Sequence, residues 1–315
     1  MFKINIDNPS GLEVINITNP QFGIELEIIA SFGAVINRYI VNNSPFSFIA
    51  GYQDHKDLVE NHPFFSRSAK LFPFPNRLER GHYTFAGESY QLPANFPWSE
   101  HAVHGLLYNQ PFFIKATQAD EHHAQVTLTF DSSQLDVEGY PYPFRLEVTF
   151  SLDTAGVLQC GTKVFNLGET AMPFGDAWHP YFSLGVARNA FTLEMSPSHE
   201  WLHIDDLPSG EKQPFSQFNQ PNTLDGVDLN HCFEFDHPTQ SQIELKRIDG
   251  KAQLIYTQPS GYPFVQLYTP NSESSVAVEP MSCPANALNN GFGLLVLEPG
   301  ETSSFLWQCQ AKYRR

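Results

Sequence analysis

Cations are scarce in this sequence. Its 315 residues hold 18 Lys and Arg against 34 Asp and Glu, a formal charge of −16 with histidine neutral, and no segment gathers a basic patch. Nucleic-acid backbones and anionic lipid surfaces are held by clustered Lys and Arg, so nucleic acid and membrane are excluded as expected partners. Cysteine is scarce too. Cys160, Cys232, Cys283 and Cys309 stand apart with no CxxC spacing. A zinc ribbon and a disulfide framework are thereby removed, leaving buried or free thiols in a reducing compartment. No run of about 18 apolar residues occurs. The opening MFKINIDNPSGLEVINITNP has one Lys and no continuous apolar core of a signal peptide, so the expected location is cytoplasmic. Gly/Ser linkers, low-complexity tracts and fixed-period repeats are also missing, and one domain over residues 1–315 is expected although length alone allows two.

What is present is a wealth of rings and turn formers: 27 Phe, 12 Tyr, 12 His and 24 Pro, with 41% hydrophobic residues. Such a chain can bury enough surface to offset its conformational entropy, and disorder is excluded. Wherever a pattern is clear its period is two. Leu146, Val148, Phe150 and Leu152 alternate with Arg145, Glu147, Thr149 and Ser151, which predicts a half-buried strand. Val126, Leu128 and Phe130 repeat the pattern, Phe2, Ile4 and Ile6 do so at the start, and IELEII from Ile24 does so approximately. Further strand-like runs lie near 157–165, 189–195, 252–257, 263–269, 275–279 and 303–309. The best helix candidate is short, HKDLVEN around 55–61. The expected fold is therefore all-β: a large twisted antiparallel sandwich with few short helices and a cleft in its concave face.

Four stretches carry more polar chemistry than strand packing requires. Asn76 and Arg77 sit between a Phe/Pro-rich approach and a Gly-punctuated hairpin. Arg77 either pairs with a surface carboxylate or aims a planar fork of donors at vicinal oxygens in a cleft. His101 and His104 stand three apart, but no HExxH or Cys pair completes a metal set, and no metal is expected. Gly105 after His104 implies a close approach of backbone to a ligand or a neighbouring strand. His179 is wrapped by Trp178, Pro180, Tyr181 and Phe182. It is either a satisfied core histidine or a polar edge beside an aromatic wall that receives the C–H face of a sugar ring. Glu279 precedes Pro280 at the end of a strand-like run, on the opposite face from Val276 and Val278. It is either a solvated edge charge or a base projecting into the concave face.

Taken in order, these residues resemble the aldose 1-epimerase (mutarotase) family over essentially the whole chain. The landmarks are Asn76-Arg77 with the hairpin to 92, His104-Gly105, His179-Pro180-Tyr181-Phe182, Leu207-Pro-x-Gly-Glu211, Glu279-Pro280 with Pro284-Ala-Asn-Ala-Leu-Asn289, and Leu297-Glu-Pro-Gly-Glu301. Each is weak alone, and their order and spacing are specific. The resemblance implies a galactose mutarotase-like supersandwich and interconversion of the α and β anomers of a free sugar by ring opening and reclosure. It makes Glu279 the base at the C1 hydroxyl, His179 the acid at the ring oxygen, and His104 a donor to the C1 oxygen. Asn76, Arg77, Asn230, Asp228 and Tyr181 become contacts to the sugar, with no cofactor, and the chain is a monomer or homodimer. Three positions depart from the family pattern. Asn230 replaces the Asp of an Asp-x-x-Phe segment, Leu106 the second Gly of His-Gly-Gly, and Asn286 the Asp of Pro-Asp-Ala. Asp225 and Asp228 are candidates to supply the missing carboxylate. Two other readings share the fold: a hexose-6-phosphate 1-epimerase, disfavoured by the few cations, and a non-catalytic sugar-binding or sensing protein, which would not need an acid and a base together. A glycoside hydrolase typically sets two carboxylates across its bond, and Glu279 has only His179 opposite.

Overall fold

Alternation in the chain becomes layers in space. The computed structural model describes residues 1–270 and 274–314. The predicted strands are present: Val157–Asn166, Phe191–Met195, Ala252–Ser260, Phe264–Tyr268, Val276–Met281 and Thr302–Tyr313 cover the strand-like runs. Among the described residues the strands pair antiparallel in three sheets of four, nine and eight strands, with three two-stranded ribbons beside them. In the nine-stranded sheet, Phe144–Asp153 lies between His123–Asp131 and Val157–Asn166. Its alternation works as expected, because Leu146, Val148, Phe150 and Leu152 have no exposed surface. Each such side chain contributes about 1.5–3 kcal/mol by leaving water.

One apolar core joins the sheets. Val126, Leu146, Leu254 and Trp307 of the nine-stranded sheet meet Trp178, Phe233, Leu267, Val276 and Val278 of the eight-stranded one, and Ile15, Ile17, Leu26 and Ile28 of the four-stranded one. That is a sandwich, as expected. The chain start departs from expectation. Phe2 is buried, but Ile6 is 50% exposed, because Lys3–Asp7 is an edge strand paired on one side only.

The predicted helix spans His55–Phe65, four residues beyond the expected end. Asp54 caps it by accepting from the Asp57 N–H, and Ser66 closes it in the left-handed conformation. Pro63 lies in the final turn, where it has no N–H to offer the Val59 carbonyl one turn back. His62 anchors the helix from below. Its Nε2–H donates to the Tyr108 carbonyl, so its Nδ1 accepts from the Tyr52 hydroxyl, both at 2.8 Å. This neutral tautomer leaves Phe64, Phe65 and Ser66 at the end of the helix to wall a cleft.

Burial lowers the His62 pKa from its ordinary 6.5 to about 4. Between those values the unfolded chain binds a proton that the folded chain refuses, so stability is lost as pH falls. We expect His62 alone to cost about 3 kcal/mol over that interval. Urea titrations from pH 7 to pH 4 should show a flatter stability slope in His62→Gln than in the native chain. Equal slopes would remove this account.

Candidate active site

The eight-stranded sheet writes one face of the site through its register. Glu279 on Val276–Met281 stands opposite Gln266 on Phe264–Tyr268, which stands opposite Cys232 on Asn230–Phe235. Two pairs along, Ala277 faces Tyr268 and Tyr268 faces Asn230. Period-two geometry therefore sends Glu279, Gln266, Tyr268 and Asn230 to the same side, with directly opposed Cβ atoms about 5 Å apart. Val276 and Val278 go to the other side, into the main core, as the alternation of this strand predicts.

The histidines arrive by way of residues 66–78, which bond the stretches bearing His104, His179 and Asn286. The Ser68 N–H donates to the His179 carbonyl, and the His179 N–H to the Ala69 carbonyl. Farther along, the His104 N–H donates to the Asn76 carbonyl and the Asn286 N–H to the Arg77 carbonyl. Asn76 and His104 both hold left-handed backbone, φ +53° and +60°. This conformation costs a non-glycine residue about 1 kcal/mol or more, less for Asn, and persists only where surrounding bonds enforce it. Gly105 has φ +71°, and a Cβ there would lie 2.2 Å from the Phe72 carbonyl oxygen. Of the two reasons expected for a glycine after His104, the neighbouring strand is the real one.

These side chains line a cleft of about 470 Å³, within the ~300–1,000 Å³ usual for small-molecule sites. His179 Nε2 lies 3.5 Å from Glu279 Oε1. The Tyr181 ring stacks on His179 at 5.0 Å and 2°, and the His104 ring meets the His179 ring edge-on at 5.1 Å. Arg77 pairs with a surface carboxylate, as one of its readings had it, and its side chain also borders the cleft. It lines the cleft, donates to Asn76 Oδ1 at 3.1 Å, and pairs at 3.2 Å with Asp206, an exposed carboxylate at the tip between Ser198–Ile204 and Leu207–Phe215. The Leu207–Glu211 landmark lies on that hairpin. Trp98, at the lip, lies under the Arg77 guanidinium at 5.5 Å.

Seven sequence-identified residues thus share one cleft: Asn76, Arg77, His104, His179, Tyr181, Asn230 and Glu279. Asp228 does not line it, which corrects the expectation. The strand begins at Asn230, so Asp228 lies in the exposed turn before it, where strand alternation no longer aims side chains; Asp225 is exposed in the same turn. His101 is also outside, accepting from the Arg80 N–H. Leu106 packs on the main core, and Asn286 accepts from the Glu79 N–H. Gln266 was missed. Its Nε2–H donates to Asn230 Oδ1 at 2.9 Å while its buried Oε1 has no hydrogen-bond partner. The signal was a lone polar residue between Phe264-Val265 and Leu267-Tyr268. All four cysteines are buried and free.

Burial governs the site's charges. It raises the Glu279 pKa well above the usual carboxylate value, against the opposing pull of Arg77. It also lowers His179 to about 3 and His104 well below the imidazole range, where the neighbouring His179 adds to the effect. Burial thus favours the uncharged form of both partners, a protonated Glu279 beside a neutral His179 with one proton on the pair. Among the described residues no cluster of three or more His, Cys, Asp or Glu is arranged to hold a metal.

The sequence profile of the aldose 1-epimerase family matches residues 13–308. The chain belongs to this family. It is similar to YihR, an uncharacterized Escherichia coli protein, with 31% identity over 246 residues, 73% of this chain and 74% of that one. It is similar to mouse galactose mutarotase at 23% identity over 336 residues, 93% of each chain. Its fold matches that of a galactose mutarotase-like protein from Clostridium acetobutylicum, with TM-score 0.88, 18% identity, and 100% and 99% of the two chains covered. The supersandwich expected from the resemblance is thus the architecture observed.

Two stability predictions follow from this geometry. Gly105→Ala should lose about 2 kcal/mol or more in urea unfolding, since a left-handed residue meets a fixed carbonyl. Glu279→Gln should do the opposite. In the folded chain Glu279 keeps a proton that the unfolded chain releases above pH 4.5. The native chain therefore loses about 1.4 kcal/mol per pH unit, relative to the amide variant, until the carboxyl ionises in the fold. A gap that narrows from pH 5 to pH 8 would contradict this.

Proposed function

We propose that this chain is an aldose 1-epimerase that interconverts the α and β anomers of a free neutral aldose. The observation that carries the reading is the Glu279–His179 pair, 3.5 Å apart on the floor of the cleft. The two oxygens that exchange protons in ring opening, the C1 hydroxyl and the ring oxygen, are both bonded to C1. A base and an acid that serve them must therefore be close neighbours. The reactive arrangement puts the shared proton on His179 and leaves Glu279 ionised, a distribution favoured when sugar hydroxyls hydrogen-bond the carboxylate.

Glu279 then takes the proton from the C1 hydroxyl while His179 gives its proton to the ring oxygen, and the C1–ring oxygen bond breaks to give the open aldehyde. Rotation about the C1–C2 bond presents the other carbonyl face. On reclosure His179 recovers the proton from the attacking hydroxyl and Glu279 returns one to the C1 oxygen. The pair ends with the proton it began with. His104, neutral because it is buried, has one N–H to donate to the C1 oxygen as it becomes carbonyl-like. Arg77 and Asn76 hold ring hydroxyls beside it. Asn230 and Gln266 together offer amide donors and an acceptor, and Tyr181 contributes to the wall against which the ring lies. Such proton transfers lie within reach of side chains alone.

A neutral substrate is supported by the charge of the lining. Among the described residues Arg77 is the one Lys or Arg that lines the cleft, and it already has Asp206 as partner. A phosphate would need further donors. Polarimetry of freshly dissolved α-glucose and α-galactose should show faster relaxation with the protein, and glucose 6-phosphate little change. Glu279→Gln and His179→Asn should each reduce the acceleration by about 10²–10⁴. The rate should fall on both sides of a pH optimum, as the pair gains a second proton or loses its one. Asn230→Asp keeps the acceptor for Gln266 and loses a donor, and should alter the ranking of sugars more than the rate with the best one. Unchanged relaxation across a panel of neutral aldoses would overturn the enzyme reading and leave the sensor.

A further inference from the structure

Behind the cleft lies a buried charge pair that the proposed reaction does not touch. Lys70 and Asp176 both have no solvent exposure, and Lys70 Nζ lies 2.5 Å from Asp176 Oδ1. Lys70 Nζ also donates to the Ala177 carbonyl at 2.8 Å and lies over the Trp178 ring at 5.1 Å. The Tyr262 hydroxyl donates to Asp176 Oδ2 at 2.7 Å. Ser282 completes the set, because the Asp176 N–H donates to Ser282 Oγ while the Ser282 N–H donates to the Asp176 carbonyl. None of these four residues lines the cleft.

Their positions along the chain explain what they join. Asp176 is three residues before His179, Ser282 three after Glu279, Tyr262 four before Gln266, and Lys70 six before Asn76. Lys70 is also the cross-strand neighbour of Trp178, on the strand pair that leads directly into His179. The stretches that supply Asn76, His179, Gln266 and Glu279 are therefore each tied to Asp176, through its carboxylate or its backbone. A pair with no exposure is a poor way to gain stability, since replacing such a pair by apolar groups of similar volume is often neutral or stabilising. It is a strong way to fix geometry, since each bond has one direction and no competing water.

We propose that the Lys70–Asp176–Tyr262 network is a positioning device, which holds the segment bearing His179 in fixed register with Phe264–Tyr268, the strand that pairs with the one bearing Glu279. The proposal rests on the acid–base reading of Glu279 and His179. These residues touch no substrate and act only through the placement of the two proton carriers. A displacement of about 1 Å between reacting groups can cost on the order of 10²-fold in rate, and loss of the network is expected to spend part of that factor.

The test separates placement from stability. In the variant Lys70→Met/Asp176→Leu/Tyr262→Phe the three side chains of the network become apolar while Ser282 keeps its bonds to the backbone of residue 176, and the urea midpoint is expected at or above that of the native chain. Its kcat for anomer interconversion should nevertheless fall about 10- to 100-fold, with KM changed less than about twofold. A stable triple variant with native kcat would overturn the proposal. The single variant Tyr262→Phe removes one hydrogen bond and covers the case in which the triple variant does not fold. It should lower kcat several-fold at unchanged KM, and native kcat there would equally count against positioning. A readout independent of turnover is the imidazole ¹⁵N spectrum of His179, assigned by comparison with His179→Asn. Loss of the network should shift its resonances in either variant even if no aldose proves to be a substrate, and an unmoved spectrum would sink the proposal separately from the enzymatic reading.

Discussion

Dry ionisable groups in the middle of a sheet are the constraint on which the rest of this molecule depends. Glu279, His179 and His104 are each at least nine-tenths buried, and removing a carboxylate or an imidazolium from water is expensive unless the group gives up its charge or finds a partner. The fold answers by packing Glu279 and His179 against each other, where burial favours the uncharged form of each. The same burial that makes the pair costly sets it apart from surface acids and bases. A carboxyl raised from its ordinary pKa and an imidazole lowered from its own are neighbours between which a proton is easily redistributed. Stability and chemistry therefore pull in opposite directions at Glu279, and the surrounding core has to supply the difference.

Support for that floor comes from stretches far apart in the chain. Residues 66–78 contact 104–106, 177–179 and 286 through backbone bonds, and the left-handed turns at Asn76 and His104 are held in place by those bonds. Backbone strain of this kind belongs to sites that hold a geometry against local preference. The Lys70–Asp176–Tyr262 network lies on the far side of the same strands, where it faces Trp178 and the apolar core. Two layers of polar contacts, one lining the cleft and one behind it, thus bracket a single sheet.

Much of the fold was legible because period two is a local property. Leu146, Val148, Phe150 and Leu152 state which side of a strand will be covered whatever covers it, and the structure buries all four. The same rule gave too much at the chain start, where Ile6 lies on an edge strand half open to water. Closeness in the chain misled beyond a strand end. Asp228 was a candidate for the missing carboxylate because it lies close to Asn230, but it precedes the strand and is left in solvent. Gln266 was overlooked because a single amide among apolar neighbours carries no motif, and only its pairing opposite Glu279 gives it a place in the cleft.

By itself the sequence determined the all-β class, the want of cations that disfavours phosphate, and the ordered landmarks of the aldose 1-epimerase family. The tertiary structure decided which acid meets which histidine, that Arg77 divides itself between the cleft and Asp206, that Gly105 yields to the Phe72 carbonyl, and that Lys70 and Asp176 are buried together. The division has one physical reason. Side-chain alternation follows from the backbone of each strand, whereas the meeting of Lys70 with Asp176, or of His179 with Glu279, depends on cross-strand register between segments about a hundred residues apart, for which no local pattern exists.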